Sequence, residues 1–154
     1  MNIMVNKLET IQGVSIKELS KIKNDKGNIL HVLKSSDSCF TQFGECYISE
    51  VFPEKVKAWK KNAVQTQNLA VIEGRIKFVI FDDREGSISK GILNVFEISR
   101  AENYKLLTIP PNIWYGFGCL GSQKSIIVNC SDHPHNIKNI KSMDIQNDLI
   151  PFNW

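Results

Sequence analysis

Short strand-like runs separated by turn residues fill most of the chain, and this alternation restricts the possible folds more than any other feature. Residues 45–51 alternate polar and apolar side chains, which is typical of a half-buried strand. Residues 68–72 and 76–81 flank Gly74, and we expect them to form a hairpin. Only residues 16–23 have a helical pattern. Roughly eight or more short strands predict a mainly β sandwich or jelly roll, and periodicity does not choose between the two.

The composition is that of an ordinary globular domain. Hydrophobic residues make up 42% and charged residues 23% of the 154 residues, and both shares are near globular averages. A chain of this length fits one core. We therefore predict a single domain over residues 1–154, in which the polar residues 136–154 form a C-terminal arm or packing segment.

The net charge of +3 is small, and only residues 55–61 concentrate lysines. Such a charge fits an anionic small molecule, and no recognised nucleic-acid motif accompanies it. The chain has no apolar run long enough to span a membrane and no signal peptide at its start. Its four cysteines lack C-x-x-C spacing. We expect a cytoplasmic protein with buried free thiols and with neither a nucleic-acid nor a membrane partner.

Two separated segments keep the spacing of a known barrel motif. They read Lys60-x-Asn62-x4-Gln67-x6-Gly74 and Pro110-x-Asn112-x-x-Tyr115. This spacing resembles the cupin segments His-x-His-x4-Glu-x6-Gly and Pro-x-Gly-x-x-His, and the resemblance implies a cupin-type double-stranded β-helix, a jelly-roll barrel. An ammonium, two amides and a phenol stand where cupins place metal ligands, and they are poor ligands for a divalent ion. We predict a site with no metal and no other cofactor.

Five further segments carry a resemblance to one family within this superfamily. They are Val56-Lys57-Ala58-Trp59-Lys60, Gln65-Thr66-Gln67-Asn68, Phe81-Asp82-Asp83-Arg84-Glu85-Gly86-Ser87, Ala101-Glu102-Asn103-Tyr104 and Ile109-Pro110-Pro111-Asn112-Ile113-Trp114-Tyr115-Gly116-Phe117. Together they resemble a divergent branch of the dTDP-4-dehydrorhamnose 3,5-epimerase family. The likeness runs from residue 25 to residue 154. It implies a homodimer that acts on a nucleotide sugar.

The chain departs from this family at the positions that carry its chemistry. The family's basic His matches Lys60, its general-acid Tyr matches Val128, and a Lys that helps stabilise the enolate matches Gln67. The His of the Pro-x-Gly-x-x-His segment matches Tyr115. The family's basic His and its general-acid Tyr are therefore both replaced in this chain.

Lys60 and Tyr115 are the candidate catalytic residues. Epimerisation beside a ketone needs a base, a donor to the enolate and an acid on the other face. Residues 60 and 62 share one face of a strand, so Asn62 follows Lys60 into the barrel. A lysine desolvated there would have a lowered pKa and could act as a base. In the alternative interpretation, Lys60 is neutralised by a carboxylate or reaches solvent at the barrel mouth.

The remaining candidates are substrate-binding residues. Amides at Asn62 and Gln67 can hydrogen-bond a sugar, cationic side chains can hold a diphosphate, and aromatic side chains offer flat faces. The cationic candidates are Lys26, Lys57 and Arg84, and the aromatic ones are Trp59 and Trp114. His133 and His135 flank Pro134, and we include His133 among the binding residues, although histidines in a turn are usually surface residues.

These patterns predict a nucleotide-sugar epimerase-like protein that acts on an NDP-4-keto-hexose in cell-surface polysaccharide biosynthesis by metal-independent proton transfer. The alternatives are a sugar 3,4-ketoisomerase and a non-catalytic sugar-nucleotide-binding cupin. A metal-dependent cupin oxygenase fits the residues least.

Overall fold

The computed structural model describes residues 10–154, and its regular secondary structure consists almost entirely of antiparallel strands. The strands are β1 (Ser15–Glu18), β2 (Lys21–Ile22), β3 (Ile29–Leu30), β4 (Glu45–Val51), β5 (Val56–Asn62), β6 (Gln67–Glu73), β7 (Arg75–Phe81), β8 (Leu93–Ser99), β9 (Lys105–Ile109), β10 (Trp114–Cys119), β11 (Ser125–Ser131) and β12 (Ile140–Ser142). A 3₁₀ turn, Ile137–Asn139, precedes β12.

Two five-stranded sheets pack face to face. The first has the strand order β1-β9-β6-β11-β4, and the second has the order β12-β5-β10-β7-β8. Strands that are distant in sequence are neighbours in both sheets, and the main apolar core contains side chains from each, such as Leu69 and Ile127 from the first and Phe78 and Ile80 from the second. This architecture confirms the predicted mainly β jelly-roll class.

The continuous apolar run of β7 is explained by burial on both of its faces. Ile76, Phe78 and Ile80 point into the core between the sheets, whereas Val79 and Phe81 join an outer cluster. Such a run is typical of a strand that is covered on both sides. The second sheet therefore needs a cover on its outer face.

The C-terminal segment supplies that cover. Ile150 is buried in the outer cluster, and Phe152 and Trp154 pack against it. The ring centroids of Trp59 and Trp154 are 5.5 Å apart. Strand β12 adds residues 140–142 to the edge of β5.

The predicted helix at residues 16–23 was wrong. These residues contain β1 and β2, and β1 pairs along its whole length with β9. The backbone bonds to a distant strand outweigh a local helical preference, which is a weak term in comparison.

The predicted hairpin around Gly74 was also wrong, because β6 lies in the first sheet and β7 in the second. Gly74 is the corner at which the chain crosses between sheets. Its φ is +75°, and a Cβ atom there would lie 2.3 Å from Ser125 Oγ. Glycine is needed both for this backbone conformation and for the close approach.

All four cysteines are free thiols, but their expected burial holds only for Cys119, since Cys46 is exposed and Cys39 and Cys130 are half-buried. Within residues 10–154, no helix has the length and apolar character needed to cross a bilayer.

Candidate functional site

A polar cavity opens between the two sheets and consists of two adjoining chambers. The larger has a volume of about 430 Å³ and the smaller about 90 Å³. Tyr47, Lys60 and Tyr115 line both. The larger chamber is lined by Glu45, Tyr47, Lys60, Lys61, Asn62, Gln65, Tyr115, His135 and Ile140. Strands β4, β5, β10 and β12 therefore bring charged, amide and phenol groups to one place.

The structure brings Lys60 and Tyr115 together. They are directly opposite each other on the neighbouring strands β5 and β10, so both belong to the same wall of the cavity. Asn62 lines the larger chamber as well, as the two-residue period of a strand requires.

A β-bulge adds Lys57 to this wall. Lys57 pairs with Phe117 and Lys60 with Tyr115, so the β5 segment is one residue longer than its partner in β10. In a regular strand, residues 57 and 60 would point to opposite faces. The bulge places both beside the smaller chamber, where Lys57 Nζ donates a hydrogen bond to Ser49 Oγ at 2.8 Å.

Lys60 is exposed at the mouth of the cavity. Its amine has no hydrogen-bond or ion-pair partner among the side chains that the structure describes. The desolvation expected for this lysine is therefore not found, and neither is a neutralising carboxylate. The amine is available to a ligand that enters the cavity.

Tyr115 differs from Lys60 in being buried, with 9% of its surface exposed. Burial is the main cause that raises the pKa of Tyr115, and the neighbouring Tyr47 raises it further. The hydroxyl therefore keeps its proton at neutral pH. It can donate a hydrogen bond to an oxyanion in the cavity.

A chain of amide hydrogen bonds runs behind the cavity wall. Asn62 Nδ2 and Gln67 Nε2 both donate to Gln65 Oε1, at 2.7 and 3.2 Å. Gln65 Nε2 in turn donates to Glu45 Oε1 at 3.0 Å. At the other end, Asn129 Nδ2 donates to Gln67 Oε1. These bonds hold the amides of the wall in fixed orientations.

The structure does not bring Trp59 and Trp114 to the cavity. Both lie in the outer cluster of the second sheet, beneath the C-terminal segment. Trp59 Nε1 donates to the Ile145 carbonyl at 3.2 Å, and Trp114 Nε1 donates to Asp83 Oδ2 at 2.9 Å. Each is adjacent in sequence to a residue of the cavity wall, so strand alternation sends its ring to the opposite face. Neither ring is placed to stack on a ligand.

Two of the expected phosphate-binding cations also lie away from the cavity. Lys26 is exposed in the turn before β3. Arg84 donates to both carboxylate oxygens of Asp82 and to the Gln12 carbonyl, so its guanidinium is used within the loop after β7. Of the three predicted cations, only Lys57 lines a chamber.

His133 does not line the cavity either. Its Nδ1 is 3.0 Å from Asp132 Oδ1, and its backbone carbonyl accepts a hydrogen bond from Gln65 Nε2 at 2.6 Å. His133 thus supports the amide chain from behind. His135 is the histidine that reaches the larger chamber.

Val128, which matches the general-acid Tyr of the family, does not reach the cavity, because its side chain points to the outer side of β11. The buried residues of this strand alternate with it, and Asn129 lines the smaller chamber. Asn129 Nδ2 donates to the hydroxyl of Tyr47 at 2.9 Å.

Reasoning from the sequence did not select several polar residues of the site, among them Glu45, Tyr47, Gln65 and Asn129, and of the two histidines it chose His133 instead of His135. The alternation in residues 45–51 predicted a strand and therefore a shared face for positions 45, 47 and 49. It contained no signal that this face turns toward β5.

The donor set at the cavity does not fit a divalent metal. Asn62 Oδ1 already accepts the backbone N–H groups of Val64 and Gln65, and Gln67 Oε1 accepts the amide of Asn129. Neither oxygen is turned toward an ion, and an ammonium stands where a ligand would be needed. Among residues 10–154, no three His, Cys, Asp or Glu side chains cluster as a metal site.

Proteins similar to this chain include some described as sugar isomerases or epimerases, or as polysaccharide biosynthesis proteins. No protein-family model matches it. The crystal structure of a dTDP sugar isomerase from Desulfovibrio desulfuricans G20 is 40% identical, with a TM-score of 0.91 over 94% of this chain and 92% of that one. The dTDP-4-dehydrorhamnose 3,5-epimerase of Elizabethkingia anophelis NUHP1 shares the fold, with a TM-score of 0.79 and 19% identity over 95% of this chain and 83% of that one.

Two curated relatives are similar over almost their whole length. The probable low-salt glycan biosynthesis epimerase Agl13 of Haloferax volcanii is 28% identical over 94% of this chain and 90% of its own. The spore coat polysaccharide biosynthesis protein SpsL of Bacillus subtilis is 27% identical over 94% and 96%.

Proposed function

Because the chain belongs to the family of dTDP-sugar isomerases and epimerases that includes dTDP-4-dehydrorhamnose 3,5-epimerase, as a divergent member, we propose that it epimerises an NDP-4-keto-hexose. The reaction is a metal-independent proton transfer beside the ketone. The names of the two curated relatives support a place in cell-surface polysaccharide biosynthesis. A cytoplasmic location follows from this role, since nucleotide sugars are the activated donors of such assembly.

The observation that carries this proposal is the free amine of Lys60 beside the buried hydroxyl of Tyr115. A sugar nucleotide that fills the cavity would exclude water from the Lys60 amine, and in the neutral form that this desolvation favours, Lys60 removes the proton from the carbon beside the ketone. The enolate oxygen that forms accepts a hydrogen bond from Tyr115, which keeps its proton because burial raises its pKa.

The rest of the cavity supports binding of the substrate. The larger chamber has a volume of about 430 Å³, which is within the range of about 300–1,000 Å³ that is typical of small-molecule sites, and the smaller chamber adds about 90 Å³. Lys57 provides a positive charge for the diphosphate beside the smaller chamber. Asn62 lines the larger chamber, where the sugar hydroxyls would lie. Gln67 is buried behind this wall and supports it through its hydrogen bonds to Gln65 and Asn129.

Deuterium incorporation tests the proposal. Wild-type protein incubated in D₂O with dTDP-4-keto-6-deoxyglucose should introduce deuterium at the carbons beside the ketone and invert them, as read by NMR. Lys60→Met should reduce the exchange by about 100-fold or more. Lys124→Met is the matched control and should exchange as the wild type does, because Lys124 is an exposed residue just before β11 and does not line the cavity. Binding of the ligand without any exchange would contradict an epimerase and support a non-catalytic binding protein.

A sugar 3,4-ketoisomerase is the second candidate, and one observation favours it. Lys60 and Tyr115 lie on the same wall, and groups on one face of the sugar are sufficient to move a ketone to the adjacent carbon through an enediol. Product analysis in the same experiment distinguishes a shifted ketone from an inverted carbon.

We also propose that the protein is a homodimer. Strand β4 is an edge strand of the first sheet, and Phe43, Ile48 and Phe52 on and beside it are 71%, 63% and 60% exposed. An apolar edge of this kind is suited to pair with a second copy of the chain.

A further inference from the structure

Inversion of a carbon requires two groups on opposite sides of the sugar ring, and the pair on the second sheet satisfies only one side. Lys60 and Tyr115 are direct neighbours on β5 and β10. A proton returned by either would reach the face from which it was taken. Tyr47 lines both chambers and lies on β4, in the sheet that faces this wall.

The hydrogen-bond chain determines the orientation of the amide beside Tyr47. The carboxylate of Glu45 can only accept, so the nitrogen of the Gln65 amide must face it and the oxygen must face away. That oxygen accepts from Gln67 Nε2, which turns Gln67 Oε1 toward Asn129. The Asn129 amide must therefore direct its nitrogen toward Gln67 Oε1.

The other end of the hydrogen-bond chain requires the same orientation of the Asn129 amide. The backbone N–H of Asn68 can only donate, and it donates to Asn129 Oδ1 at 3.2 Å. The nitrogen of Asn129 is thus defined from both ends. Its second hydrogen goes to the hydroxyl oxygen of Tyr47 at 2.9 Å. Because that oxygen is an acceptor, the hydroxyl hydrogen of Tyr47 points elsewhere, and it has no acceptor in the part of the chain that the structure describes.

We infer that Tyr47 is the general acid that delivers the proton to the face opposite Lys60, an inference that rests on the proposed epimerase function. Neutral Lys60 takes the α proton, the C–H electron pair becomes the C=C bond of the enolate, and the carbonyl π pair moves to oxygen. The enolate carbon then takes the hydroxyl proton of Tyr47 as the C=O bond re-forms. Lys60 is left as an ammonium and Tyr47 as a phenolate, and proton exchange with water restores both.

The surroundings of Tyr47 suit this step. Tyr47 is 44% exposed, but the partial burial of its ring, and to a smaller extent the charge of Glu45, raises the pKa of Tyr47, so the proton stays in place until the enolate forms. The hydrogen bond from Asn129 acts in the other direction because it stabilises the phenolate. For Tyr115, no hydrogen bond to its hydroxyl occurs among residues 10–154.

Two variants that remove the same single atom test the inference. In D₂O with dTDP-4-keto-6-deoxyglucose, Tyr47→Phe should lower inversion by about 100-fold or more. Recovered substrate should still gain deuterium, because the Lys60 amine carries deuterons from the solvent and returns one of them to the original face in place of the proton it removed. Tyr115→Phe should lower exchange and inversion together, because the enolate oxygen loses its hydrogen-bond donor and the enolate common to both processes is less stable. Thermal unfolding of both variants measures any loss of folding, which would lower exchange and inversion in parallel.

Inversion by Tyr47→Phe at a rate near that of the wild type would overturn the inference, as would equal losses of exchange and inversion in this variant. A wild-type protein that exchanges deuterium but yields only a shifted ketone would also overturn it. Absence of exchange in the wild type would instead remove the proposed function itself, so the two failures can be told apart.

Discussion

At the residue scale, the densest polar contacts outside the cavity surround Asp82. Its side chain is fully buried, and it accepts hydrogen bonds from Arg84, Ser87 and Ser89. Burial acts to raise the pKa of Asp82, but these hydrogen bonds outweigh it and hold the pKa well below its usual range. An acidic turn that carries its own arginine is thus a structural ion pair that closes the loop between β7 and β8.

We expect Asp82→Asn to lower the free energy of unfolding at pH 7 by about 1–3 kcal/mol, because charge-assisted hydrogen bonds are lost. The folded-state pKa is below the unfolded value of about 4, so the carboxylate stabilises the fold above that pH. Its contribution is lost as the pH falls toward the folded-state pKa. Urea unfolding between pH 7 and pH 2 should therefore show the wild type and the variant converging in acid.

Glu85→Gln provides the control for this experiment. Glu85 pairs with Lys90 at the surface, and its side chain is 89% exposed. Its removal should leave the pH dependence of unfolding unchanged. A similar flattening of the pH dependence in both variants would contradict the special role of Asp82.

At the element scale, two local irregularities position the cavity. The bulge in β5 turns Lys57 to the same side as Lys60, and the corner at Gly74 takes the chain from the first sheet to the second. Both interrupt the regular alternation of a strand. The bulge lies within the second sheet, between β5 and β10, and the corner lies where the chain crosses between the sheets. A regular β5 would turn Lys57 away from the smaller chamber.

We expect Gly74→Ala to destabilise the protein more than Gly86→Ala. The two glycines have nearly equal φ angles, +75° and +74°, but only a Cβ atom at Gly74 would meet Ser125, whereas Gly86 faces open space. Gly86→Ala should cost about 1 kcal/mol for the left-handed backbone. Gly74→Ala should cost at least about 1 kcal/mol more, because of the steric overlap. Equal denaturant midpoints for the two variants would show that the corner tolerates a side chain.

At the scale of the whole molecule, the two sheets are covered unequally. The C-terminal segment packs on the outer face of the second sheet, and Leu19, Leu30 and Leu33 are among the side chains that pack on the first. Strand β4 keeps a free edge, and Ile48 on it is exposed. The proposed dimer would cover this edge, close to the mouth of the cavity that Tyr47 lines.

We expect Ile48→Glu to convert the dimer to a monomer, because a carboxylate would be buried in the apolar contact between copies. Sedimentation velocity would show the mass halved while the circular dichroism of the β fold is retained. Ile88→Glu is the matched control, since Ile88 is 87% exposed on the loop after β7, and it should remain dimeric. A dimeric Ile48→Glu variant would move the interface away from β4, and a monomeric wild type would contradict the homodimer.

Much of the fold could be predicted because alternation and turn residues are local. The strands at residues 45–51 and 76–81 are visible in the sequence as an alternating and an apolar run, and they are β4 and most of β7 in the structure. The predictions were wrong where pairing with a strand distant in sequence determined the local structure. Residues 16–18 became a strand because β9 pairs with them, and the two strands around Gly74 were separated by their partners.

The sequence by itself determined that the chain is mainly β, that residues 60 and 62 share a face, and that metal ligands are replaced there by an amine and amides. Only the tertiary structure decided which groups face this wall. Tyr47 and Asn129 reach the cavity because β4 and β11 lie in the opposite sheet, and Trp59 and Trp114 leave it because they alternate with wall residues. The physical reason is that side-chain alternation is a property of each strand, whereas the contact of two sheets depends on hydrogen bonds and packing between strands far apart in the chain.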